Sequence, residues 1–489
     1  MRHFKLSIPL TLTCLLSILV SPLASTEEQN KNRLPNMGTA AFSTLSIDKE
    51  MQMGEAMMRQ LRSSQPVIND PVLTEYINAL GNRLVKNAQN VNYSFDFFLI
   101  NNKEINAFAF FGGHVGVHTG LITTADNESE LASVLAHEIS HVTQRHLARS
   151  LDAQKRNQPL SMAGMISSVL IALVNPSVGF AALTTTMAAS QQLGINYTRS
   201  NEEEADRVGI SLLAASGFDP EAAPAFFEKL SEKYRYTSKP PALLLTHPLP
   251  ASRVADARNR AQSYPPHTLG PSLSFELAKA RIIARYENTP KENVAYFKDR
   301  LAQHKYVLKA AAEYGLAVSY LDNKQYHDAE KILVTLHQQD VKNLFYVDAL
   351  SDVYIGLSQF QPAITMLSRL SKLMPNNQVV ALNYANVLTE HKQYQQAIST
   401  LQDLLLIQPE NFLAHDLLTT IYEKMNNQAL RHASKAEVLA LLGRYSMAVD
   451  ELQTAINYTQ THPLLKKRFK ARILQLQEQQ NKLKRLLPH

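Results

Sequence analysis

The chain has 489 residues, 45% hydrophobic and 19% charged, with 16 glycines and 22 prolines, a balance that excludes collagen-like and long disordered polymers and a length that excludes one ordinary core. Its net charge is +6, without any motif for reading nucleic-acid grooves, which argues against a nucleic-acid partner. The single cysteine, Cys14, lies near the amino terminus, so a disulfide framework is excluded for the rest of the chain.

Residues 1–25 read as a signal peptide. Arg2 and Lys5 precede an apolar run from Leu6 to Val20, and small residues follow at Ser21, Ala24 and Ser25. The run is shorter than the roughly 20 residues of a membrane span, so cleavage near Ser25 and export to the periplasm are expected. The mature chain would then hold no cysteine and rely on its cores and a metal.

Between Tyr93 and Ile122, apolar runs at Phe95 to Ile100, Ala107 to Phe111 and Val115 to Leu121 are punctuated by Asn101, Asn102, Gly112 and Gly113, which predicts a small antiparallel sheet. Asn106 to Phe110 is expected either as an exposed edge that takes a peptide as an added strand or as a plain core strand. A helix follows, with Asn127 as N-cap, Glu130 at capping-box spacing, and Leu131, Val134, Leu135, Ile139 and Val142 on one face.

That helix carries His137, Glu138, Ile139, Ser140 and His141, the pattern H-E-x-x-H. Residues i and i+4 share a helix face, so both imidazoles can reach one zinc ion, and Glu138 beside them can take a proton from attacking water and pass it to the leaving amine. A metzincin extension would need glycine at 144 and histidine at 147, where the chain has Gln144 and Leu147. His146, half a turn off the ligand face, reads as an ordinary surface histidine.

From Leu160 to Leu193 the chain is apolar but broken at Asn175, Pro176 and Ser177, favouring two buried or groove-flanking helices over a membrane hairpin. The segment Arg199 to Gly209 then offers a carboxylate. Glu202 and Asp206 are i and i+4, so Glu202 can face the metal and Asp206 the free ring nitrogen of a ligand histidine. The bland alternative makes Glu202, Glu203 and Glu204 a solvated acidic first turn.

After Pro265 and Pro266 the sequence turns helical and periodic. Tyr326, Phe360 and Tyr394 recur every 34 residues, Ala329, Ala363 and Ala397 follow in step, and Pro375 and Pro409 close their units, the period of tetratricopeptide repeats. Tyr286 and Ala295 suggest a degenerate first unit. Tyr445 and Ala448 fall half a unit out of step, which predicts an extra helix around Phe412 to Lys424. The final segment holds Lys466, Lys467, Arg468, Lys470, Arg472, Lys482, Lys484 and Arg485 against Glu478 alone, either a solvated face or a contact to an anionic membrane surface.

His137 to His141, the Glu202-to-Asp206 segment, Asn106, Ala107 and Phe108 ahead of Gly112 and Gly113, and His247, Pro248 with Arg253 together resemble the M48 family of gluzincin metallopeptidases. The family usually has a proline where this chain has Phe111. The resemblance implies an α+β peptidase domain, mostly helical with a small antiparallel sheet, over 26–265, and an all-α repeat solenoid with a basic last helix over 266–489. It implies one zinc ion per chain on His137, His141 and Glu202, Glu138 as general base and Asp206 as orienter of a ligand. His247 and Arg253 match the family's downstream pair. Either could stabilise the oxyanion of the tetrahedral intermediate, or His247 could fill the open zinc position and silence the enzyme. With the export signal and repeats, the resemblance further implies action on unfolded or misassembled outer-membrane proteins and contact with the barrel-assembly machinery through the repeats. One rival reading is a chaperone or adaptor with a silent metal site. Another is an integral-membrane protease using Leu160 to Leu193.

Overall fold

The computed structural model describes residues 45–157, 199–236, 240–265, 267, 269–460 and 462–486. The expected signal peptide and the apolar Leu160 to Leu193 segment lie outside the described residues. Among those described, no helix is long and apolar enough to cross a membrane.

The chain begins with α1 (Ile47–Ser64), capped by Ser46, and α2 (Pro71–Val85). Asp70 caps α2 by accepting from the amides of Val72 and Leu73, and Pro71 needs no partner at the first turn. Three strands follow, β1 (Asp96–Ile100), β2 (Ala107–Phe110) and β3 (His114–His118), in the order β1-β3-β2. Side chains alternate as a pleat requires. Phe98, Ile100, Phe108 and Phe110 pack on Met53, Met57 and Leu61 of α1, and Phe97, Leu99, Ala107, Ala109, Val115 and Val117 join the main core with α2.

The sheet is mixed where an antiparallel one was expected. β2 and β3 form the antiparallel pair, but β1 runs parallel to β3. Only the Phe111–Gly113 turn is tight, with Gly112 and Gly113 at φ 77° and 81°, a region natural to glycine. Residues 101–106 instead carry the chain to the far edge, leaving the centre for β3. Beyond β3 come α3 (Thr119–Thr124), α4 (Glu128–Thr143), α5 (His146–Asn157), α6 (Arg199–Ala215), α7 (Ala222–Tyr234), α8 (Ala242–Thr246) and α9 (Ala251–Ala261).

The helical repeats are α10 (Leu273–Ile282), α11 (Pro290–Ala302), α12 (Lys309–Asp322), α13 (Tyr326–Gln339), α14 (Leu344–Gly356), α15 (Phe360–Leu373), α16 (Gln378–Glu390), α17 (Tyr394–Ile407), α18 (Phe412–Lys424), α19 (Gln428–Leu441), α20 (Tyr445–Asn457) and α21 (Pro463–Leu486). Ala329, Ala363 and Ala397 are fully buried where paired helices approach. The expected helix is present as α18, with the bounds given. It starts in step with α14 and α16, and α19 packs on both α18 and α20, with Gln428 where the other second helices begin with an aromatic residue. Tyr445 and Ala448 of α20 are buried in one cluster with Ala436, Leu439 and Ala440 of α19. The degenerate first unit is α10 with α11, where Val294 and Phe297 face the core and Ala295 is exposed.

The repeats curl against the amino-terminal portion, and one core cluster runs from Ile68 to Val379. Asn377 and Gln378 donate to Glu75, and Arg59 of α1 reaches Glu410 at 2.9 Å and the Ala440 carbonyl. The deepest tie is Arg281, 1% exposed. Its Nε meets Asp70 at 2.7 Å, its Nη2 Asp348 at 2.6 Å, and its Nη1 donates to the Tyr314 hydroxyl. Replacing it by methionine leaves buried Asp348 without its cation and Asp70 with only Arg285, at 3.8 Å, and a loss of about 3–5 kcal/mol is expected. Urea denaturation checks this; a loss under about 1 kcal/mol would mean that water reaches the carboxylates.

Candidate active site

Helix α4 starts where expected. Asn127 Oδ1 accepts from the Glu130 amide at 3.0 Å, and the Glu130 carboxylate accepts from the Asp126 amide at 2.8 Å, one residue earlier than in the standard box. The helix is buried nearly all round and packs on α6. Gly209 permits this: a Cβ there would lie 3.2 Å from the His137 backbone. The close approach brings Glu202 and Asp206 to the histidines.

His137 and His141 place their Nε2 atoms 2.9 Å apart. Glu202 Oε2 lies 3.5 Å from the first, and its Oε1 3.5 Å from the second. His247, just after α8, sets its Nδ1 at 3.1 Å from both Glu202 oxygens and 3.3 Å from His137 Nε2. One ligand atom from each of these four buried residues lies within 4.8 Å of the others. Donors about 2.0–2.1 Å from a tetrahedral ion stand roughly 3.3 Å apart, so the measured separations fit a small tetrahedral metal.

Behind the donors, Asp206 Oδ1 lies 3.0 Å from His137 Nδ1, which aims the other ring nitrogen at the centre. Arg253 grips Asp206 through Nε and Nη2 at 2.7 and 2.8 Å, and its Nη1 meets Glu202 at 2.9 Å and donates to the Pro248 carbonyl. Its guanidinium thus spans two carboxylates, Asp206 and Glu202.

Glu138 is fully buried, with Oε1 3.4 Å from His247 Nε2. Burial raises its pKa above the ordinary carboxylate value, opposed by His247 and His137. Burial likewise drives His141 well below the usual imidazole value, while for His137 the bonds to Asp206 and Glu202 overcome burial and lift it to about 10. Glu202 is held well below its ordinary value, against burial, by His247 and His137.

The reading of His146 as a surface residue is overturned. A continued α4 would carry it away from His141, but Arg145 adopts a left-handed conformation at φ 54°, ends the helix and turns α5 back. His146 is 0% exposed, with Nδ1 2.8 Å from His141 Nδ1. Arg145 is held there by Glu50 and the Leu45 carbonyl. Nothing in its residue type signals the turn. Of the three acids read as a solvated turn, only Glu203 is exposed: Glu202 is among the donors and Glu204 contacts His146 at 3.1 Å. β2 is the sheet edge next to α4, with its side chains buried.

The model of peptidase family M48 matches residues 71–261, and a tetratricopeptide-repeat model matches residues 354–421. A beta-barrel assembly-enhancing protease of Escherichia coli (strain K12) is 44% identical, covering 97% of this chain and 97% of its own. The chain belongs to peptidase family M48. A putative beta-barrel assembly-enhancing protease of Vibrio cholerae is 46% identical over 96% of this chain and 98% of its own. The mitochondrial metalloendopeptidase OMA1 of Arabidopsis thaliana is 34% identical over 28% of this chain and 26% of its own. This M48 member is thus a metallopeptidase whose catalytic portion precedes a repeat array.

Proposed function

We propose that the chain is a periplasmic zinc endopeptidase, with a signal peptide removed near Ser25, a peptidase domain over 26–265 and a repeat domain over 266–489. The reading is carried by the tetrahedral spacing of His137, His141, Glu202 and His247 with Glu138 beside them. Two imidazoles and a carboxylate suit zinc over calcium or magnesium, which prefer oxygen donors. When bound, zinc supplies a Lewis acid that polarises the scissile carbonyl and acidifies water. Glu138 takes the proton from the attacking water and delivers it to the departing amine. Asp206, clamped by Arg253, fixes the tautomer of His137, and β2 offers its outer edge to an extended peptide.

The substrates are unfolded or misassembled outer-membrane proteins, a choice supported by the names of the relatives. The repeats bind protein partners, the barrel-assembly machinery among them. Between the two portions a cleft of about 520 Å³ is lined by Arg62, Glu75 and Glu410 together with Val67, Phe98 and Phe412. The basic face of α21 would add peripheral contact with an anionic membrane. The chaperone or adaptor reading gains weight from His247, whose place in the donor set is that of a latch.

Metal content tests the proposal. One zinc per chain is expected by mass spectrometry. Stripping it should lower the melting temperature, because a ligand held at 100 times its Kd contributes about 2.7 kcal/mol, and equimolar zinc should restore it. A protein that binds no zinc, or melts identically with and without it, would sink the reading.

A further inference from the structure

We propose that His146, with Glu204 behind it, is a positioning residue that fixes the tautomer and aim of His141; the assignment rests on the metal reading above. The two Nδ1 atoms of His141 and His146 stand 2.8 Å apart, and His146 Nε2 lies 3.1 Å from Glu204 Oε2. Arg149 Nη1 holds the same oxygen at 2.9 Å.

The protons in this row follow from what each atom can do. A carboxylate only accepts, and Glu204 is held as one by its ion pair with Arg149 Nη1 at 2.9 Å. His146 Nε2 therefore carries hydrogen and donates to Glu204. Neutral His146 then has its lone pair on Nδ1, so that nitrogen accepts from His141 Nδ1–H. His141 in turn keeps its lone pair on Nε2, the nitrogen that faces Glu202 and His137. The opposite order would put hydrogen on His141 Nε2 and end its use as a ligand.

The row matches the support of the other histidine. Asp206 orients His137 directly at 3.0 Å, whereas Glu204 orients His141 through one interposed ring. α6 supplies both carboxylates as well as Glu202, so a single helix sets the metal-facing geometry of every protein ligand except His247. The left-handed Arg145 brings His146 into this row, which gives the buried Arg145–Glu50 pair at 2.5 Å a purpose in the site.

Zinc affinity of the full-length protein, measured by competition with a chromogenic chelator, tests the assignment. His146→Phe keeps the ring's bulk and removes the acceptor, and Glu204→Met removes the anchor at a partly exposed position. Both are expected to lose about 10–100-fold in affinity while the zinc-free forms melt as the parent does. His146→Asn, whose Oδ1 falls near the former Nδ1, should recover most of the Phe variant's loss, which a mere packing role would not allow. Should the Phe variant not fold, Glu204→Met decides alone. Parental affinity in Glu204→Met, or an Asn variant as weak as Phe, overturns the positioning role and leaves the metal reading standing. A parent that takes up no zinc overturns both.

Discussion

Replacing Glu138 by glutamine is expected to lower cleavage of an unfolded β-barrel protein by about 10²–10⁴-fold, the span that a positioned general base contributes. Glutamine keeps the shape and loses the basic oxygen. Zinc should remain at one per chain, because the tetrahedral set is formed by His137, His141, Glu202 and His247, with Glu138 to one side. The fold should also survive. Burial opposes the ionised form at this position, so a neutral amide of equal volume adds no desolvation cost. Cleavage, zinc content and melting temperature measured on one preparation separate the outcomes. Undiminished cleavage would remove Glu138 from the proton path, and loss of zinc together with cleavage would make it a ligand.

The parts of this site that were legible in the sequence are those written within a single helix. His137, Glu138 and His141 on α4, and Glu202 and Asp206 on α6, announce a shared face by spacing alone. That the two faces meet depends on Gly209 lying against the His137 backbone, a contact between helices far apart in the chain that no local period encodes. His146 was misplaced for the complementary reason: helical arithmetic held only as far as Thr143, and a left-handed arginine reset it. The sheet failed similarly, since the alternation that identifies strands carries no information on which neighbour each one takes.

The repeats add a related lesson. Their aromatic and alanine markers are consequences of tight packing between paired helices, so the period vanished from the markers at Gln428 although α18 and α19 kept the step. Helix starts, set by Asn343, Asn377 and Asn411 as N-caps that each accept from an amide in the first turn, carried the period further than the aromatics did. Capping residues answer to the local backbone, and interface residues to a partner that can change from one unit to the next.

Truncating His247 to alanine should raise cleavage by about tenfold or more. Its Nδ1 stands 3.1 Å from Glu202 Oε1 and 3.3 Å from His137 Nε2, so with zinc bound it would be able to take the place that a catalytic zinc keeps for water or substrate. If the filled form outnumbers the open one by about ten to one, removing the ring frees that fraction, a shift of about 1.4 kcal/mol. His247 sits on a short support. Its amide donates to the Leu243 carbonyl, and the Leu243 amide donates to the carbonyl of Ile105, two residues before β2. Zinc affinity should fall modestly in the same variant, since three protein donors remain. Lower cleavage would instead assign His247 to the oxyanion, and the double replacement with Glu138→Gln must be inactive in either case, because opening the site is useless without the base.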